Sequence, residues 1–158
     1  MDNEALKKLV AQGLAAMQTG SDVAAKATSE IQNDAKHPDL KSALEVGNKV
    51  SEQWKSRISQ AVQSAGGSGE QKNPILEAHF QVSKLIRQQA PDDTSRDLGI
   101  IASGQLALHY WIAAFGTMAS YTKQLGMEDV AAEMKKSANE AKQGDERHTE
   151  IAKSILGS

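Results

Sequence analysis

The chain predicts an all-α fold, a bundle of four long helices and one short one in a single domain covering 1–158. Three observations carry this. Apolar residues recur three, four and seven apart over long segments. Good helix formers dominate a composition with only 3 prolines and 4% aromatics. No stretch alternates with the period of a strand.

The first helix is expected from Asn3 to Asp34, where Val10, Met17, Ala24 and Ile31 follow one another at steps of seven, with Leu6 on the same face. Gly13, Gly20 and Ser21 interrupt it, and a Gly in a helix costs about 1 kcal/mol against Ala. Either a kink or a close helix contact is therefore expected there. His37-Pro38-Asp39 ends the helix, and Pro38 suits the first turn of the next.

The second helix runs from Pro38 to Ser64 along Leu40, Leu44, Gly47, Ser51, Trp54, Ile58 and Ala61. Ala65-Gly66-Gly67-Ser68-Gly69-Glu70 reads as a flexible loop, too short to separate domains. A shorter helix from Pro74 to Gln89 carries Ile75, Leu76, Phe80, Val82, Leu85 and Ile86 and suits a cap or crossover. Thr94 or Asp93 can cap the fourth helix, about Ser95 to Leu125. That helix is the most apolar, with Tyr110, Trp111 and Met118 widening its surface beyond one stripe, so it is central or covered by a partner. After Leu125-Gly126-Met127, the fifth helix runs from Glu128 to Leu156. One of its stripes is Met127, Met134, Ala141, His148 and Ile155; another is Ala131, Ala138, Asp145 and Ala152.

Composition excludes several functions. The net charge is −2 and the pI about 6.1, with Lys and Arg scattered. Nucleic-acid binding needs a basic footprint, which is missing. There is no Cys, hence no disulfide, thiolate catalysis or Cys-ligated metal. Met1-Asp2-Asn3-Glu4 does not read as a signal peptide. No uninterrupted apolar run approaches membrane-spanning length, so no membrane partner is expected and a cytoplasmic protein is.

Few residues are placed for chemistry. Asp145 and His148 are three apart on one helix face, a spacing at which a carboxylate and an imidazole can share a metal or a structural pair. His109 beside Leu108 reads as a hydrogen-bonded histidine at the core edge or an interface. Glu52 and Lys49 read as a charged pair around Ser51, or as ligand and counter-ion. Trp54 and Trp111 read as core or dimer-interface anchors. There is no Ser-His-Asp arrangement, no phosphate-binding Gly motif and no Glu-x-x-His motif.

Ser95-Arg96-Asp97-Leu98-Gly99-Ile100-Ile101-Ala102, followed by His109-Tyr110, Ile112-Ala113 and Gly116-Thr117, resembles the YciE/YciF group of bacterial ferritin-like proteins. Lys123-Gln124-Leu125-Gly126, Thr149-Glu150-Ile151-Ala152 and Pro38-Asp39-Leu40-Lys41-Ser42-Ala43-Leu44 extend the likeness over nearly the whole chain. The resemblance implies a ferritin-like antiparallel four-helix bundle with one additional short helix, a homodimer, and a stress-related setting. It also implies that most inward carboxylates of a di-metal site are replaced. The two glutamates around His-Tyr become Leu108 and Trp111. The helix-one glutamate falls at Ser21, with Asp22 next to it. The helix-two glutamate falls near Lys49, and the histidine three residues on falls at Glu52. On the fifth helix Ala141 replaces a glutamate, while Glu140 and Asp145 keep their types.

The resemblance therefore implies a non-catalytic protein with a degenerate di-metal site, acting through an unidentified protein partner. Glu52, Asp145 and His148 are the residual metal candidates. No cofactor is expected. The alternative is a metal-binding or oxidoreductase protein with a rearranged site that holds iron or manganese.

Overall fold

The computed structural model describes residues 2–67 and 69–158. The loop expected over Ala65–Glu70 contains Ser68, which lies outside the described residues. Five helices follow in order: α1 (Asn3–Asp34), α2 (Pro38–Ser64), α3 (Pro74–Gln89), α4 (Asp93–Gln124) and α5 (Glu128–Leu156). No strand occurs among the described residues. At about 1.5 Å per residue the long helices are roughly 40–50 Å rods.

The ends follow from local chemistry. Asp2, His37 and Asn73 each accept a backbone N–H in the first turn of the helix that follows. The start of α4 differs from expectation. Asp92, rather than Thr94 or Asp93, accepts the Ser95 N–H at 2.7 Å, and this moves the helix start back to Asp93. Gly126 adopts φ +75°, and Met127 N–H bonds back to Thr122 O at 2.9 Å, which turns the chain between α4 and α5.

The four long helices form an antiparallel square in which α1 neighbours α2 and α4, and α5 neighbours α2 and α4. The short α3 lies across α1 and α4. It carries the chain from Asn73, which donates to Ala16 O at 2.9 Å, to Arg87, which pairs with Asp34 at the far end of α1. Asp97 on α4 then accepts the N–H groups of Lys36 and His37, at 2.8 and 2.7 Å, and so ties α4 to the α1–α2 turn.

α1 does not break at its glycines. A Cβ on Gly20 would lie 2.5 Å from Asn73 Nδ2 and 2.7 Å from Leu76 Cδ1, so the small residue admits α3. The close-contact reading holds at Gly20.

By length and composition α4 is apolar enough to cross a membrane, which corrects the sequence reading. Ser103, Gly104, Gln105 and His109 interrupt the apolar run, yet its average stays high. In this fold Ile100, Ile101, Trp111 and Phe115 are buried against the other helices. Trp111 is 5% exposed and Met118 8% exposed within one chain, so neither is held back as an interface anchor. Trp54, Trp111 and Phe115 form an aromatic cluster with ring centroids 5.2–5.9 Å apart.

The core is in two parts. The larger runs from Leu6 to Met17 on α1 and includes Trp54, Phe115 and Met134. The smaller gathers Ala35, Leu40, Ile100, Ile101 and Ile151 at the other end.

Candidate functional site

Between the two cores the helices enclose a cavity of about 330 Å³. Small residues leave the space: Ala24 and Ala27 on α1, Gly47 and Ser51 on α2, Gly104 and Ala107 on α4. Trp54, Trp111 and Leu108 close it towards the larger core, and Ile31, Ala43 and Ile100 towards the smaller one. Of its lining residues, Val46, Gly47, Gln143 and Arg147 are exposed, which places the mouth at the α2–α5 seam, opposite α3.

Leu108 and Trp111 both turn inward, as expected. His148 is 8% exposed and also faces the cavity. Its Nδ1 lies 2.8 Å from Gly144 O and donates to it when the ring is neutral. Nε2 then carries the lone pair. It points at Gly104, where an added Cβ would come within 3.3 Å of it. Burial pushes the His148 pKa down, outweighing the Gly144 carbonyl and the Asp145 charge that raise it. His79 on α3 also lines the cavity, and burial lowers its pKa despite a hydrogen bond to the Ser103 backbone.

Asp145 and His148 share a helix but do not share a partner. Asp145 Oδ2 lies 3.2 Å from Nε2 of the exposed His109 on α4, while Asp145 Oδ1 is buried without a hydrogen bond. Asp145 therefore belongs to the α4–α5 face and His148 to the interior. Glu52 lies on the α1–α2 face, on an open groove with Ser21 and Ser51. The pairing of Glu52 with Lys49 does not form: Lys49 instead bonds Glu45 one turn earlier, at 3.0 Å. Asp22 is taken up by Lys55 at 2.8 Å. The structure thus does not bring Glu52 to Asp145 and His148. Among the described residues no group of three or more His, Asp or Glu is arranged to hold a metal ion.

Glu140 is the surviving carboxylate at the cavity edge, and it is engaged. It accepts from Trp54 Nε1 at 2.8 Å and from both terminal nitrogens of Arg57, at 2.6 and 3.2 Å. Arg57 also reaches Glu133 at 3.0 Å and Ser137 Oγ at 3.0 Å. This donor set does not fit a di-metal centre: apolar side chains stand at two inward positions, and the retained glutamate is neutralised by a guanidinium.

Sequence reading missed this network, together with Asp97, Asn73 and Arg87. Asn73 binds Tyr110 Oη at 2.8 Å and Ala16 O, and so explains the His109-Tyr110 segment as a packing joint. Asp97 likewise gives the Arg-Asp segment a structural role. The available signal was the helical spacing of Leu76, Ser83 and Arg87, which are all buried on one face of α3.

The comparisons agree with this architecture. Protein YciF of Escherichia coli (strain K12) is 30% identical over 98 residues, covering 61% of this chain and 59% of that protein's length. The crystal structure of the E. coli stress protein YciF superposes with a TM-score of 0.91 at 21% identity, covering 97% of this chain and 98% of that one. YcfI, described as a putative structural protein from Rhodopseudomonas palustris, gives a TM-score of 0.86 at 21% identity over 91% of this chain and 92% of its own. The family model described as a domain of unknown function, DUF892, matches residues 4–158, and the chain is a YciE/YciF-like member of that family with a ferritin-like helical fold.

Proposed function

We propose that this is a non-catalytic ferritin-like protein with a degenerate di-metal site, which acts through its surface as a homodimer in a stress-related setting. The stress setting is suggested by the likeness to the E. coli stress protein YciF. The observation that carries the reading is the coupling of Glu140 to Arg57 and Trp54, with Leu108 and Trp111 at the neighbouring inward positions. A carboxylate already neutralised by a guanidinium is a poor ligand, and an indole and an isobutyl group supply no donor.

The outer face of α3 supports the dimer. Ile75, Val82 and Leu85 lie on it at 65%, 47% and 53% exposure. An exposed apolar stripe of this kind favours burial against a second copy. α3 therefore takes the place that the sequence assigned to α4, where Trp111, Phe115 and Met118 are buried inside the chain.

Two measurements test the proposal. Protein purified without chelator is expected to carry well under one equivalent of iron or manganese and to show no ferroxidase activity. Stoichiometric metal lost on Asp145→Ala or Glu52→Ala overturns it. Light scattering is expected to give twice the 16.9 kDa chain mass, reduced to one chain by Val82→Lys with Leu85→Lys. A monomeric parent removes the dimer.

A further inference from the structure

The interior cavity has the size and chemistry of a binding site. Its volume of about 330 Å³ lies at the lower end of small-molecule pockets, which span roughly 300–1,000 Å³. It is not a packing remnant of one missing methyl group. Its walls come from all five helices, and small residues keep it open at several levels. Its lining is mainly aliphatic and aromatic, so water gains few partners there.

Most polar groups of the lining are engaged or near solvent: Thr28, Asn48, Ser83, Ser103 and Glu140 are hydrogen-bonded within the protein, and His79 is only half-buried. His148 is more than nine-tenths buried, and its Nδ1 is held by Gly144 O, which leaves Nε2 with no hydrogen bond among the described residues. The neutral imidazole offers an acceptor lone pair at that atom. Charged groups do not offer a counterpart. Of the charged groups in the lining, Glu140 is tied to Arg57, and Arg147 stands exposed at the mouth rather than in the interior. A charged head would therefore sit uncompensated in the interior.

We propose that the cavity, with room for the volume of about eleven waters at roughly 30 Å³ each, binds a small uncharged, mostly apolar molecule whose single hydroxyl donates to His148 Nε2. The ligand enters through the α2–α5 seam beside Gly47, where an added Cβ would meet nothing within 4 Å. Its apolar body lies against Trp54 and Trp111. This site is independent of the surface role and of the dimer.

The chain has only two tryptophans and both line the cavity, so intrinsic fluorescence reports its occupancy. The probes are 4-butylphenol and its counterpart without the hydroxyl, butylbenzene, titrated into the full chain by fluorescence and calorimetry. Saturable 1:1 binding of both is expected, with the phenol tighter. His148→Leu is expected to weaken the phenol about tenfold, the loss of one hydrogen bond, and to leave butylbenzene within about twofold. Ala107→Phe fills the cavity and is expected to abolish both. Ala27→Leu serves the same purpose if that variant melts early. No binding at millimolar probe, binding unchanged in a folded cavity-filled variant, or phenol affinity unchanged in His148→Leu overturns the proposal.

Discussion

Trp54 on α2 donates its indole N–H to Glu140 on α5 at 2.8 Å, and the same carboxylate holds Arg57, whose side chain is 10% exposed. A single acid thus joins the helices on either side of the cavity mouth. Burial raises the Glu140 pKa, but the hydrogen bonds from Arg57 and Trp54 and the charges of Arg57 and Lys136 outweigh it, and the net shift is downward. Glu140→Ala leaves Arg57 partly desolvated and is expected to cost about 2–3 kcal/mol, discounted for partial exposure. Thermal unfolding should fall by roughly 5–10 °C. A folded carboxyl with a lowered pKa contributes fully above its unfolded value and loses that contribution as pH falls through the folded one. The parent should therefore lose this stability below its ordinary value of 4.5, and Glu140→Gln should show a flatter acid limb in denaturant titrations.

The two neutral histidines give a second pH effect. His148 and His79 both have folded pKa values below the ordinary 6.5. As pH falls through 6.5 the unfolded chain takes up protons before the folded one does, and stability declines. The denaturant midpoint should drop between pH 7 and pH 5, and His148→Leu should remove part of that slope. An unchanged slope would place the titration elsewhere.

Asp97 accepts two backbone N–H groups at the α1–α2 turn while only 4% exposed. Asp97→Ala leaves both donors unpaired and is expected to destabilise by about 2–4 kcal/mol. Asp97→Asn keeps one acceptor oxygen and should cost about half as much. Equal losses in the two variants, measured by urea unfolding, would argue against the paired-acceptor role.

Gly20 and Gly47 separate contact from helix propensity. Gly20→Ala drives a methyl into Asn73 and Leu76 and is expected to cost about 1–3 kcal/mol despite the better helix former. Gly47→Ala meets nothing within 4 Å and should stabilise by up to about 1 kcal/mol. Melting temperatures of the two variants should move in opposite directions.

The sequence by itself determined the helices. The bounds of α1, α2, α3 and α5 coincide with the heptad stripes and their Pro, Gly and Asn punctuation, because capping and 3.6-residue periodicity are local. α4 began two residues early only because three acidic or hydroxyl residues compete as its cap, and Asp92 had the reach. The inward facing of Leu108 and His148 was legible for the same reason, whereas that of Trp111 was implied only by the family resemblance.

Only tertiary structure decided the partners. Which acid meets which base depends on the azimuth and height of helices far apart in sequence. So Asp145 turned to His109, Glu52 stayed on another face, and Glu140 met Arg57 across 83 positions. The cavity was equally hidden, since each small residue lining it is unremarkable on its own helix. It exists because Ala27, Gly47 and Gly104 come to one level of the bundle, where two cores fail to close.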